Sequence, residues 1–121
     1  LKDVFMVSIV KIDHSIFKSH AYSTLINAKK GQEFADHHSC NFGKWYSSEG
    51  KEMFGSNKSF NDIGVHHQIV HESVLENMKY LKNDAMYKAE NSQAIIDTFS
   101  KMEKASERLG ELLDKMILEK N

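Results

Sequence analysis

The sequence predicts an all-α protein, an antiparallel four-helix bundle with a short extra helix that carries the only cysteine. The 121 residues include no proline, the residue that most strongly breaks helices. The outer thirds of the chain are rich in Ala, Leu, Lys, Glu and Met, which are strong helix formers. Apolar residues recur there three and four positions apart, which is the period of an amphipathic helix.

The first predicted helix runs from about Lys2 to Lys30. His14 lies on a stripe that should face inward, and a second apolar stripe runs beside it. Gly31 follows two lysines, a pattern typical of a helix C-cap. The inward stripe contains Val10, Phe17, Ala21 and Leu25, and the neighbouring stripe contains Phe5, Ile9, Ile12 and Ile16.

A shorter helix is predicted from Ser39, its N-cap, to about Glu49. Phe42 and Trp45 are three residues apart and should pack together in the core. Gly43 lies three residues after Cys40 and leaves a patch without a side chain beside the sulfur. The residues from Gly50 to Lys58 are predicted to form a loop.

Two long helices follow, separated by a predicted turn at Lys82–Asp84. Ser59 and Asp62 resemble a capping box at the start of the first of them. The inward stripe of the first contains Ile63, His67, Val70 or His71, Val74, Met78 and Leu81. The last helix carries Ile95, Ile96, Phe99, Met102, Leu109, Leu112, Leu113, Met116 and Ile117.

Composition limits the classes of partner. Seventeen acidic and sixteen basic residues leave a net charge of −1, which favours neither nucleic acid nor another polyanion. No apolar run approaches the length of a membrane helix, so no membrane partner is expected. A single cysteine excludes an intrachain disulfide and suits a reducing, cytoplasmic location. We expect residues 1–121 to be one domain, and the start at Leu1 suggests a domain excised from a longer protein.

Four residues form the candidate metal site: His14, Cys40, His67 and His71. His67 and His71 are four positions apart and therefore share one helical face. Three imidazoles and one thiolate are a complete set of ligands for tetrahedral Zn²⁺. Because such a set leaves no position for a substrate water, the site is predicted to be structural or sensory.

The residues around the histidine pair argue against an enzyme. A zincin motif requires Glu directly after the first histidine, where Gln68 stands. The inverted motif requires Glu directly before the second histidine, where Val70 stands. Metal-assisted hydrolysis is therefore not expected.

The remaining histidines compete for the role of ligand. His66 falls on a polar face, and His20 lies off the inward stripe, so both are predicted to be exposed. His37 and His38 lie in a predicted loop beside Cys40, either as alternate ligands or as solvated side chains.

Two acidic residues are adjacent in sequence to candidate ligands. Asp13 precedes His14, and Glu72 follows His71. Either carboxylate could accept a hydrogen bond from the second ring nitrogen of a ligand histidine. The alternative is an ordinary solvated carboxylate.

Three ordered motifs resemble the chemoreceptor zinc-binding domain family over roughly residues 5–120. The first is a histidine followed closely by an aromatic residue, the second is a cysteine motif with glycine and an aromatic residue, and the third is a histidine pair. The spacings between the motifs also agree with the family. The motifs lie at His14 and Phe17, at Cys40, Phe42, Gly43 and Trp45, and at His67 and His71.

The resemblance implies a helical homodimer that binds one Zn²⁺ per protomer through His14, Cys40, His67 and His71, with Cys40 redox-active. It implies a regulatory domain in the C-terminal part of a bacterial cytosolic chemoreceptor, joined to the signalling domain of the same chain. Its stimulus would be an oxidant such as hypochlorous acid, zinc itself, or both. The alternatives are a zinc-sensing domain of a diguanylate cyclase and a dimerisation module that zinc only stabilises.

Overall fold

A computed structural model describes residues 2–119 and contains five α-helices and no strand within them. The all-α prediction is confirmed. Short 3₁₀ segments connect the last two helices at Lys79–Tyr87 and Ala89–Asn91. The helices are α1 (Lys2–Ile26), α2 (Asn41–Tyr46), α3 (Glu49–Phe54), α4 (Lys58–Met78) and α5 (Ser92–Leu118).

The two helices α4 and α5 form an antiparallel pair and share the most extensive contact in the fold. The Asn57 side chain at the start of α4 donates a hydrogen bond to the Met116 carbonyl near the end of α5. At the opposite end, the Asn77 side chain donates to the Ile95 carbonyl. Asn77 is fully buried, so its amide contributes a polar link inside an apolar interface.

Helix α1 runs parallel to α4, and the α2–α3 segment runs back along α1. Phe42 of α2 contacts His14 midway along α1, whereas Phe54 of α3 belongs to the same apolar cluster as Val7 near the start of α1. Within residues 2–119 three helices are therefore long, and the broken α2–α3 segment lies beside α1.

The bundle core consists of two apolar clusters that lie on either side of a layer of histidines. The first cluster is built around Phe42, Phe60 and Ile63, and the second around Val70 and Met102. Among residues 2–119, none of the helices combines the length and the apolar character that a bilayer-spanning segment requires.

Helix α1 ends at Ile26, four residues before the predicted end, so the expected C-cap at Gly31 is wrong. Ala28 adopts a left-handed conformation with φ of 51°. The Lys29 N–H donates to the Thr24 carbonyl and the Ala28 N–H to the Leu25 carbonyl, the two bonds of a Schellman motif. Alanine occupies the position that usually belongs to glycine.

The predicted helix from Ser39 to Glu49 is wrong in two respects. Cys40, not Ser39, is the N-cap residue, because its sulfur accepts a hydrogen bond from the Gly43 N–H at 3.3 Å. Helix α2 also ends at Tyr46 and α3 begins at Glu49, so the predicted loop from Gly50 to Lys58 is largely helical.

Helix α4 begins at Lys58, and the predicted capping box at Ser59 is wrong. Asn57 is the N-cap, since its side-chain oxygen accepts a hydrogen bond from the Phe60 N–H at 3.0 Å. The predicted turn at Lys82–Asp84 is confirmed, because Asn83 and Asp84 both adopt left-handed backbone conformations there.

Candidate metal centre

The core of the site is the histidine pair of α4. The rings of His67 and His71 have centroids 4.7 Å apart, as residues one helical turn apart on one face should. Both occupy the inward stripe, and their exposed fractions are only 2% and 1%. Their imidazoles therefore lie inside the bundle between the two apolar clusters.

Helix α1 contributes the third imidazole. The ring centroid of His14 lies 4.9 Å from that of His67 and 5.6 Å from that of His71. His14 is 6% exposed, because the apolar stripe on which it lies faces α4 and α5. The three rings thus form one compact layer across two parallel helices.

Cys40 approaches this layer from the N-terminus of α2. Its Sγ lies 3.3 Å from Nε2 of His67, and the thiol is half-buried. Gly43 permits this approach, because a methyl group there would overlap the carbonyl of His37. The backbone before Cys40 therefore packs directly on α2, which brings the sulfur over His67.

The four potential ligand atoms lie within 4.8 Å of one another. His14 Nδ1, His14 Nε2 and His71 Nε2 are buried and have no hydrogen-bond partner. Burial without a partner costs about 1–3 kcal/mol for each such polar group. A bound metal ion would be the partner of His71 Nε2 and of one of the two His14 nitrogens, and zinc accepts this combination of imidazole and thiolate. The residues present therefore fit the metal.

The hydrogen bond at the outer nitrogen of His71 determines which ring nitrogen can bind a metal. His71 Nδ1 lies 2.7 Å from the carbonyl oxygen of Ala35. A carbonyl can only accept, so Nδ1 carries the proton and Nε2 keeps its lone pair for a metal.

Electrostatics keep the imidazoles in the neutral form that binds metals. Burial, with smaller contributions from His71 and Lys18, lowers the pKa of His14 to about 4. Burial likewise lowers the pKa values of His67 and His71. The pKa of Cys40 is raised by burial, against the opposing effect of the Gly43 N–H. In the metal-free protein the sulfur is therefore a thiol, and a cation is needed to favour the thiolate.

The other four histidines lie outside this cluster. The ring of His37 is half-buried, with its centroid 6.0 Å from that of His67, and the exposed ring of His38 lies against it. His20 is exposed, as predicted, and stacks on Phe34. His66 was predicted to be exposed but is half-buried, because it lines a groove between α4 and α5.

Neither predicted carboxylate forms a hydrogen bond with a ring nitrogen of His14, His67 or His71. Asp13 is exposed, and Glu72 is exposed and accepts a hydrogen bond from Gln68 at 2.6 Å. The hydrogen bond from the second ring nitrogen of His71, which was predicted to reach a carboxylate, is accepted instead by the Ala35 carbonyl. Sequence reasoning missed it because every residue carries a carbonyl, and no side chain signals which one will meet His71.

Comparisons with known proteins agree with zinc as the metal. A family model described as "Chemoreceptor zinc-binding domain" matches residues 14–78, which is more than half of the chain. The matched region begins at His14 and contains Cys40, His67 and His71. No curated protein and no solved structure matches the chain significantly.

Proposed function

Because the chain belongs to the chemoreceptor zinc-binding domain family, we propose that it is a regulatory domain whose zinc-bound cysteine senses oxidants. Zinc is its cofactor. The ligands are His14, Cys40, His67 and His71, which supply three neutral imidazoles and one sulfur. The observation that carries this assignment is the set of buried, unpartnered nitrogens around the Cys40–His67 contact.

The proposed context is a bacterial chemoreceptor. The domain lies in the cytoplasm, at the C-terminal part of a longer chain, and passes its signal to the signalling domain of that chain. The family match and the single cysteine, which suits a reducing compartment, support this context. The proposed role is regulatory and not catalytic, because four protein ligands would leave no open position on the metal for a substrate water.

The chemistry of sensing resides in Cys40. Bound zinc favours the thiolate, which is the form that oxidants attack. The thiolate sulfur attacks the chlorine of hypochlorous acid, an S–Cl bond forms and hydroxide leaves. Water then displaces chloride and gives a sulfenic acid, with release of a proton. The neutral sulfenic acid is a weaker ligand than the thiolate was.

The proposed signal is a movement of α2. Cys40 Sγ is a proposed ligand and is also the N-cap acceptor for the Gly43 N–H. Oxidation of one atom therefore weakens both the metal site and the start of a six-residue helix. Phe42 of α2 contacts the rings of His14 and His67. A shift of α2 thus alters packing at the centre of the bundle, as a local chemical change biasing a two-state element.

Substoichiometric hypochlorous acid tests this function. The zinc-loaded chain is treated with increasing oxidant, Cys40 oxidation is followed by mass spectrometry, and released zinc is measured with a chromogenic chelator. We expect oxidation of Cys40 and zinc release to rise together, before the methionines oxidise. Met53 is the matched internal control, because it is 41% exposed and lies outside the cluster. Oxidation of Met53 while Cys40 and its zinc remain intact would contradict the oxidant-sensing function.

A second candidate function is a zinc-stabilised dimerisation module. The second apolar stripe of α1 favours it, because its large side chains face solvent in the single chain. We propose that this stripe is the homodimer face. Its members are Phe5 at 66% exposed, Ile9 at 49%, Ile12 at 59% and Ile16 at 61%.

The sensor and the purely structural module differ in what zinc or oxidant changes. A sensor alters helix packing when zinc is lost or Cys40 is oxidised, whereas a structural module only becomes less stable. Zinc sensing, in a chemoreceptor or in a diguanylate cyclase, additionally requires a dissociation constant near the free zinc concentration of the cell.

A further inference from the structure

Two histidines outside the metal cluster lie on the solvent side of His67. The ring of His37 is perpendicular to that of His67, with centroids 6.0 Å apart. This separation is only slightly larger than the 4.7–5.6 Å between the three inner rings. The ring of His38 lies 3.9 Å from that of His37. From the inside outward, the order is the buried His67, the half-buried His37 and the exposed His38.

All three histidines line one cavity of about 420 Å³ at the side of the bundle. Its remaining walls include Gly43 and Gln68, so the cavity lies over the segment that carries Cys40. Gly43 places the His37 backbone against α2, which holds the outer imidazoles beside the inner site. Imidazole is a good ligand for zinc whether the histidine is buried, half-buried or exposed.

A buried site with four protein ligands exchanges its metal slowly, because several bonds must break before water replaces them. A ligand beside the site increases the rate of exchange, because it binds the ion while the bonds to the inner ligands break or form. We propose that His37 and His38 form an outer exchange site, which binds Zn²⁺ transiently as it enters and leaves the inner site. This inference rests on the proposed function, in which the inner four residues bind zinc.

An exchange site has a distinctive energetic signature. It stabilises the transition state for entry, which is also the transition state for exit, so both rates change by the same factor. The equilibrium affinity is their ratio and remains unchanged. A permanent ligand behaves differently, since its loss increases the dissociation rate and weakens the affinity.

A second cavity offers the competing route. It has a volume of about 300 Å³, lies between α1 and α5, and is lined by His14, Ser106 and Glu107 among others. Its acidic group is the carboxylate of Glu107, and it contains no imidazole other than that of the proposed ligand itself. The two routes are therefore separable by substitution.

The test measures zinc exchange in the 121-residue chain with H37Q/H38Q substitutions. Stopped-flow uptake of Zn²⁺ by the metal-free chain gives the association rate, and transfer to a chromogenic chelator gives the dissociation rate. Competition with a chelator of known affinity gives the dissociation constant. H66Q is the matched control, because His66 is a half-buried histidine of α4 that lines the groove between α4 and α5 and neither of these two cavities. E107Q tests the competing route, and circular dichroism checks that each variant is folded.

We expect H37Q/H38Q to slow uptake and release together by about tenfold, the effect of a lost stabilising contact in the transition state, with an unchanged dissociation constant. H66Q and E107Q should exchange at the native rates. Native rates in H37Q/H38Q, slower exchange in E107Q, or a weaker affinity with faster release in H37Q/H38Q would each overturn the proposal. The first two outcomes leave the inner zinc site intact, and the third would add His37 or His38 to its permanent ligands. A native chain that binds no zinc would instead overturn the proposed function itself.

Discussion

Cys40 Sγ and His67 Nε2 lie 3.3 Å apart although the two residues are 27 positions apart in the chain. The same sulfur accepts the Gly43 N–H at the start of α2. One atom thus connects His67 of α4 to the short helix α2, whose movement is the proposed signal. Loss of this atom should affect metal binding and the position of α2 together.

Zinc content should depend on the four clustered residues. The native chain should bind one zinc ion, and C40A or H67A should lower the bound zinc markedly, because three protein ligands hold zinc less tightly than four. Elemental analysis after gel filtration measures this. H66A is the control and should retain the native content. Undiminished zinc in both C40A and H67A would contradict the ligand assignment.

The apolar stripe of α1 should mediate a two-fold dimer. Substitution I12D should weaken the dimer strongly, because a two-fold interface contains each side chain twice and burial of one isoleucine is worth about 1.5–3 kcal/mol. Sedimentation at micromolar concentration measures the association. I96D is a matched control, since Ile96 on α5 is also 59% exposed. A native chain that remains monomeric, or dimers that survive I12D and not I96D, would contradict this interface.

Acid should destabilise the metal-free fold through His14. Its folded pKa is about 4, below the ordinary value of 6.5. Between these values the unfolded chain binds a proton that the folded chain does not, so the free energy of unfolding falls as pH falls through this window. The decrease in the free energy of unfolding should approach about 3 kcal/mol.

Denaturant unfolding of the native chain and of H14Q, from pH 7 to pH 4, measures this effect. The unfolding free energy of the native chain minus that of H14Q should fall as the pH falls, because only the native chain carries the titrating His14 ring. H20Q, altered at an exposed position, should follow the native chain. A difference that stays constant across this pH range would show that His14 does not contribute.

Gly43 should be intolerant of a side chain. A methyl group there would overlap the His37 carbonyl, so G43A should shift α2 or the preceding loop at a cost of about 1–3 kcal/mol. Because Cys40 is part of this segment, zinc affinity should also fall. Thermal unfolding and chelator competition measure the two effects.

Gly110 provides the matched control for G43A. It lies within α5, and a methyl group there would meet nothing within 4 Å. G110A should therefore stabilise the fold by about 0.5–1 kcal/mol through helix propensity. A G43A variant as stable as the native chain would contradict the tight contact at His37.

The protein should be more stable with glycine in place of Ala28. The φ of 51° at Ala28 is unfavourable for a residue with a Cβ atom, at a cost of about 1–2 kcal/mol. Glycine removes most of this cost but loses more entropy on folding, so A28G should gain about 0.5–1 kcal/mol. Denaturant unfolding measures this, with A94G in the exposed first turn of α5 as a control that should lose stability.

The helical class and the inward direction of the histidines follow from the sequence alone. These properties depend on residues three and four positions apart, which one helix places on one face whatever surrounds it. His14, His67 and His71 are therefore recognisable as misplaced polar residues in apolar stripes. The turn at Asn83 and Asp84 is equally local, because both residue types tolerate the left-handed conformation.

The way in which the segments between the helices contact the site depends on tertiary packing and cannot be predicted from the sequence. The Cys40 cap, the end of α1 before Ala28 and the Ala35 carbonyl at His71 each depend on backbone contacts, which carry no side-chain signal. The two stripes of α1 illustrate the same limit. Both are apolar, and the one that contains Ile12 is exposed because α4, α5 and the α2–α3 segment cover the other. Which apolar face becomes core is a question of available partners, and it is decided only when distant segments pack together.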